Sequence, residues 1–330
     1  MNDVSILEQA RQKLPAELAE RLQSLTAGKE RWVAVLDVAA LGGAERDAAM
    51  GDVRAAILSL AGAPGDVQII ATSERTAPAS MHKPVMIAVG SGKGGVGKST
   101  LTANLAVALA KSGVSVGVVD ADIYGPSQPM LFGTTGEKPE ARDEKLVPIA
   151  SEHGVSLLSM GHLVAQGKAL AWRGPMAGKA LAQLIDAHWD ADVVLVDLPP
   201  GTGDVQISML QHFRPDGAII VSTPQDLALI DAVRAGQLFD QGDIPIIGLV
   251  ENMASYVCPN CGEVSDPFGS GGIEAAAERL DLPFLGRIPL SIAIRKDSDA
   301  GSPPALGDTP DGRAFAAIAQ KLAAWLDKRG

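Results

Sequence analysis

The stretch VMIAVGSGKGGVGKSTLTAN, Val85 to Asn104, decides how this chain folds. Val85 to Val89 is a short apolar run with the character of a buried strand, and a helical pattern opens at Ser99 and continues through Leu105, Leu109 and Ala110. Between the two, Gly92, Lys93, Gly94, Gly95, Val96, Gly97, Lys98 and Ser99 match the phosphate-binding loop G-x-x-x-x-G-K-S/T. The strand–loop–helix setting is what gives that motif meaning. Its glycines let successive backbone N–H groups turn toward one anion, and the helix through Ser99 and Thr100 adds its positive end. Lys98 is expected to reach the outer phosphates and the Ser99 hydroxyl to take a place on Mg²⁺, so the expected ligand is MgATP.

Two rival readings explain less. Gly90, Gly92 and Gly95 also satisfy G-x-G-x-x-G, with Asp120 at about the spacing of a ribose-binding acid, but a dinucleotide site leaves Lys98 and Ser99 unexplained. A plain glycine turn explains neither the lysine nor the setting. Lys93, just after the first glycine of the loop, resembles the second lysine of the "deviant Walker A" ATPases. That resemblance implies a dimer closed over two nucleotides, with Lys93 reaching the partner's phosphates.

Downstream, Val114 to Asp120 reads as a second strand ending in Asp120-Ala121-Asp122. Acids at the carboxyl end of a parallel strand lie at the ligand edge of an open sheet, and from there Asp122 can orient a water toward the γ-phosphate. Val155 to Met160 is a third strand, followed by Trp172 to Met176, where Arg173 is either a phosphate or partner contact or a surface residue. Val193 to Asp197 is the clearest buried strand, and Asp197 falls where a residue holding Mg²⁺, directly or through water, belongs. The Leu198 to Asp204 segment after it, with Pro199-Pro200-Gly201, resembles a switch that senses the γ-phosphate. Ala218 to Ser222 and Ile246 to Val250 are further strands with a helix over Leu227 to Phe239 between them. Asn252, just after, offers a donor and an acceptor to an adenine edge, or else forms a turn. Pro289, in an edge strand ending at Leu290, is expected against the adenine plane. The strand–helix alternation predicts an α/β fold, a P-loop NTPase with a mostly parallel central sheet covered by helices.

Upstream, residues 1–75 read as a small α+β domain: a helix along Ile6, Ala10, Leu14, Leu18 and Leu22, a strand Trp32 to Val38, a helix near Ala48 to Leu60, and a strand Val67 to Ala71. Residues 76–84 read as a linker and 85–330 as the ATPase domain. The chain of 330 residues carries a net charge of −11 and no long basic run, which disfavours nucleic acid as a partner. No apolar stretch has the length of a membrane span, and the amphipathic stripe of residues 314–328 is expected to pack on the sheet rather than on a membrane. A soluble, cytoplasmic protein is the expectation.

Cys258 and Cys261, in Cys258-Pro259-Asn260-Cys261-Gly262, are the only two cysteines. A redox pair needs its own helix N-terminus, a zinc ribbon needs four ligands, and neither a second C-x-x-C nor a His pair completes the set. A symmetric homodimer supplies four thiolates, which suit zinc or an iron–sulfur cluster equally by count.

With these pieces assembled, the chain resembles the Mrp/ApbC family of iron–sulfur cluster carrier ATPases. The matching stretches are GSGKGGVGKST, VDADIYGPS, WRGPM, VDLPPGTGD, ENM, CPNCG, FGSGG and LGRIPLSIAIR, which together span Gly90 to Arg295. The resemblance implies a homodimer that binds MgATP, hydrolyses it slowly, and carries a 4Fe–4S cluster between two C-x-x-C pairs. It implies scaffold proteins as donors and apo iron–sulfur proteins as recipients. By match, Lys98 and Ser99 hold phosphate and Mg²⁺, Lys93 is the intersubunit lysine, Asp122 and Asp197 lie in two switch regions, and Cys258 and Cys261 bind the cluster. Many members carry a small N-terminal domain; residues 1–75 lack its acid–proline segment and its cysteine. The rival assignments are a positioning ATPase resembling the ParA/MinD group with a zinc-stapled dimer, a redox ATPase resembling the nitrogenase iron protein, and a zinc-stapled scaffold.

Overall fold

The computed structural model describes residues 3–27, 31–38, 43–60, 63, 67–72, 83–123, 125–163, 174–201, 206, 210 and 213–329. The chain divides into two compact units, Met1–Ser80 and Met81–Gly330. In the first, helices Asp3–Arg11 and Ala16–Arg21 precede strands β1 (Leu22–Ala27) and β2 (Trp32–Asp37), then a helix Gly43–Leu58 and strand β3 (Val67–Thr72). β1 pairs antiparallel with β2, and β2 pairs parallel with β3. The continuous helix expected to Leu22 is broken. Pro15 has no N–H and a fixed φ of −54°, so the chain restarts as a second helix behind it. Leu22 then opens a strand the sequence reading missed, its side chain buried with Ile6, Ala10, Leu36 and Ile57 in a core of its own.

The larger unit carries the strands β4 (Val85–Gly90), β5 (Val116–Asp120), β6 (Glu140–Arg142), β7 (Lys145–Val147), β8 (Ile149–Ala150), β9 (Val155–Ser159), β10 (Val193–Asp197), β11 (Gly217–Ser222), β12 (Ile246–Val257), β13 (Val264–Ser265) and β14 (Phe284–Leu290). Nine of these form one sheet in the order β13-β12-β11-β4-β10-β5-β9-β8, with β14 also on β12. All its pairings are parallel except those of β8 and β13 at the margins. β6 and β7 form a separate hairpin where the sequence suggested only loop for Thr134 to Asp143.

Alternation along the strands divides the core between two faces. Ile87, Val89, Leu195 and Ile219 pack beneath Leu101, Leu105 and Leu109 of the helix Lys98–Lys111 and beneath Phe315, Ile318 and Leu322 of the helix Pro310–Asp327. The C-terminal stripe therefore packs on the sheet. Met86, Ala88, Val194 and Val196 face Leu181, Leu184, Phe239 and Ile273 from the helices Gly174–Ile185, Asp226–Gln241 and Gly272–Leu280. No helix among the described residues is long and apolar enough to cross a membrane.

The strand order positions the site. β10 inserts between β4 and β5, in parallel register with both, so that Asp197 lies level with Asp120 on one side and Val89 on the other. The phosphate loop and both strand-end acids thus meet at the carboxyl edge of three adjacent strands.

Candidate functional site

The loop leaves β4 at Gly90 and enters the Lys98–Lys111 helix through Gly97, whose φ of +83° is open to glycine but strained for other residues. A side chain at Gly97 has no room either: a Cβ there would lie 2.1 Å from Nδ2 of Asn252. That amide instead donates to the Val96 carbonyl oxygen at 2.7 Å, bracing the loop from β12. Asn252 does not form a turn. β12 runs on through Glu251, Asn252 and Met253 to Val257, longer than the pattern of apolar residues suggested, with Met253 at φ +59°.

A cavity of about 210 Å³ is lined by Lys93 to Thr100 together with Ser91, Asp122 and Pro200. Asp122 thus opens onto the phosphate loop. The segment after β10 is tied to the same place, since the Gly201 N–H donates to the Ser91 carbonyl oxygen at 3.0 Å. Lys93 sits at the cavity with Nζ 3.1 Å from Oε1 of Gln225. A second cavity, of about 340 Å³, adjoins it at Gly97, Ser99 and Thr100, and Asn252 and Pro289 line it together. Its far wall, with Ser291, Ile294 and Arg295, comes from a helix Ile292–Asp299 that sequence periodicity did not reveal. Ser291 caps that helix, its hydroxyl accepting from Ala293 and Ile294.

Behind the loop lies a closed ionic cluster. Lys98 is buried and its Nζ is bound to Oδ1 of Asp197, which is fully buried. Asp120, also fully buried, accepts from the Ser159 hydroxyl at 2.9 Å, from the Gln128 N–H at 3.0 Å and from the Asp122 N–H at 3.2 Å. Burial, reinforced by the negative charge of Asp197, pushes the Asp120 carboxyl up to about 7. An acid so enclosed is not available to a ribose, which removes the dinucleotide reading. Gln128 joins the two acids and the loop: its Nε2 donates to Oδ2 of Asp197 at 2.8 Å and to the Ser99 carbonyl oxygen at 3.1 Å. Sequence reasoning missed Gln128, Ser159 and Gln225, because none falls inside a motif and each acts through a contact set by the strand order.

The cysteines occupy the tight turn between β12 and β13, Cys258 half-buried and Cys261 exposed. The turn is closed by the Cys258 N–H on the Glu263 carbonyl oxygen and the Gly262 N–H on the Cys258 carbonyl oxygen, both at 2.9 Å. Backbone N–H groups of Cys261, then of Asn260, hold the Cys258 thiol below the ordinary cysteine range, which favours the thiolate that binds metals. Among the described residues no group of three or more His, Cys, Asp or Glu side chains is arranged to hold a metal ion. The turn thus presents two thiols. Arg173, Tyr124 and residues 202–205, including Asp204, lie outside the described residues, as does the stretch 76–82 read as linker.

A sheet of this order with a phosphate loop at its centre defines a P-loop NTPase. A family model described as "ParA: NUBPL iron-transfer P-loop NTPase" matches residues 83–323, and the chain belongs to that family. It is 46% identical over 241 residues to the iron–sulfur cluster carrier protein of Escherichia coli (strain K12), covering 72% of this chain and 64% of that protein. It is 44% identical over 285 residues to the iron–sulfur cluster carrier protein of Deinococcus radiodurans, covering 84% of this chain and 81% of that one. Among solved structures, a nucleotide-binding protein from Archaeoglobus fulgidus in complex with ADP aligns with a TM-score of 0.61 at 39% identity, over 70% of this chain and 91% of its own. The cell-division ATPase MinD of Pyrococcus furiosus shares the fold, with a TM-score of 0.58 at 24% identity over 74% of this chain and 100% of its own.

Proposed function

We propose that this protein is an ATP-hydrolysing carrier of iron–sulfur clusters, working as a homodimer. One observation carries the reading: a single strand, β12, braces the phosphate loop through Asn252 and ends six residues later in the exposed two-thiol turn at Cys258. The names of the E. coli and D. radiodurans relatives support the same cargo.

In this reading the phosphates lie in the cradle of residues 92–100, and Lys98 exchanges Asp197 for the outer phosphates. Ser99 and Asp197 hold Mg²⁺, which supplies neutralisation of charge on the phosphate oxygens. Ser99 fits because it lies in the first turn of the helix at the cavity, and Asp197 because its carboxylate is oriented by two neighbours. Asp122 orients the attacking water. Adenine occupies the pocket of Asn252 and Pro289. Lys93 leaves Gln225 for the phosphates of the partner subunit when the dimer closes. The cargo, a 4Fe–4S cluster, is held by the Cys258 and Cys261 thiolates of both protomers, received from a scaffold protein and passed to apo iron–sulfur proteins. Residues 1–75 form an accessory domain.

The test is anaerobic reconstitution with iron and sulfide, comparing wild type with Cys258→Ala/Cys261→Ala. Four irons and four sulfides per dimer, visible absorption, and transfer to an apo-enzyme are expected of the wild type alone. Zinc retained in place of a cluster would move the protein to the positioning or scaffold reading.

A further inference from the structure

We propose that Gln128 is a positioning residue of the nucleotide site, holding the Asp197 carboxylate in the orientation that Mg²⁺ binding would use. The inference rests on the MgATP reading above. It begins with an amide that is fully buried at the start of the short helix Gln128–Leu131, among the charged groups behind the phosphate loop.

One half of that amide is saturated. Nε2 donates both to Oδ2 of Asp197 and to the carbonyl oxygen of Ser99, the residue whose hydroxyl is assigned to Mg²⁺. The opposite orientation would set the amide oxygen against a carboxylate and a carbonyl, two acceptors, so the network fixes which way the amide points. The main chain of the same residue is fixed as well, since its N–H donates to Asp120. Gln128 therefore ties the phosphate-loop helix to the ends of β10 and β5.

The other half is unpaired. Oε1 is buried and has no hydrogen-bond partner among the described residues. It is the donor half that orients Asp197. Oδ1 of Asp197 is bound to Lys98, a contact given up when Lys98 moves to the phosphates. The Gln128 bond to Oδ2 is independent of Lys98, so the carboxylate keeps its orientation through the exchange.

The test compares wild type with Gln128→Met, which has similar length but no amide. ADP binding is measured by calorimetry in EDTA and then at increasing Mg²⁺. The expected result is an ADP affinity in EDTA within about twofold of wild type and a Mg²⁺ requirement raised about tenfold or more, the size seen for groups that orient a metal's ligands. A Mg²⁺ requirement within about twofold of wild type overturns the assignment. So does an equal weakening with and without Mg²⁺, which marks a packing role only. If Gln128→Met does not fold, Gln128→Asn, whose shorter arm cannot span Ser99 and Asp197 together, takes the same test with the same expected rise. A wild type that does not bind ADP at all overturns instead the MgATP reading on which this rests.

Discussion

The nucleotide end and the thiol end of this protein are built in opposite ways. Around the phosphate loop, Lys98, Asp120, Gln128 and Asp197 are buried and bonded to one another. At the cysteine turn, two thiols stand on a short hairpin flanked by Val257 and Val264, which are 52% and 63% exposed and face each other across the β12–β13 pairing. One site is cross-linked by polar contacts within a single chain. The other is a pair of thiols beside two exposed valines. A buried ionic cluster couples function to stability, because its groups stabilise the fold through the same bonds that orient them. An exposed pair of side chains separates the two, because few bonds of the fold depend on them. Substitutions at the two ends should therefore differ in kind as well as in size.

The largest effect is expected at Lys98. Lys98→Ala removes the cation from a pocket holding two buried acids, and an uncompensated buried charge costs about 3–5 kcal/mol. Urea unfolding of the ATPase unit at pH 7.5 should show that loss together with abolished nucleotide binding. Lys98→Ala/Asp197→Asn, which also removes the stranded charge, should recover much of the stability and none of the binding. A single variant within about 1 kcal/mol of wild type would break the contrast, since the cluster would then not hold the fold.

How legible was this in the sequence? Val85 to Ser99 carries its own strand, loop and helix in consecutive residues, and apolar runs ending in acids mark β5 and β10, so the sheet and the phosphate loop follow from local pattern. Gln128 follows from nothing local: it lies 69 residues from Asp197 and meets it only because β10 enters between β4 and β5. The helix Ile292–Asp299 was hidden for a different reason. It has few apolar residues and buries only Ile294 and Ser298, so it shows little periodicity. β1 was hidden by the leucine spacing Leu14, Leu18, Leu22, which reads as one helix until Pro15 is given its steric weight. The missed pieces are those whose partners are distant or whose burial is slight.

The second effect is a pH dependence at the buried end. Asp120 is held at about 7 against 3.8 when unfolded, so the folded state binds this proton more tightly than the unfolded chain. Its contribution is intact below about pH 3.8 and is lost as pH rises through about 7. Asp120→Asn, which cannot ionise, should be less stabilising or neutral at pH 5 and more favourable at pH 8 relative to wild type. Thermal melts of both proteins between pH 5 and 8 measure this; parallel curves would show that Asp120 does not titrate in that window.

The smallest effect on stability, and the sharpest test of the comparison, belongs to the thiol end. Cys258→Ser/Cys261→Ser changes a half-buried and an exposed side chain on a turn closed by backbone bonds from Cys258 and Gly262, bonds the substitutions leave in place. Surface changes of that kind stay within about 0.5 kcal/mol, so the apo protein should unfold as wild type does. Its ADP affinity should also match, because the brace from Asn252 to Val96 lies farther back along β12. Cluster binding on reconstitution should nonetheless be lost, since a serine hydroxyl is a poor substitute for thiolate on iron. An apo variant that unfolds markedly earlier would mean that the turn also holds the end of β12, and the two ends would no longer be separable. Unchanged stability and ADP binding with no cluster would establish that this strand joins a site built into the fold to one that depends on the fold only for its position.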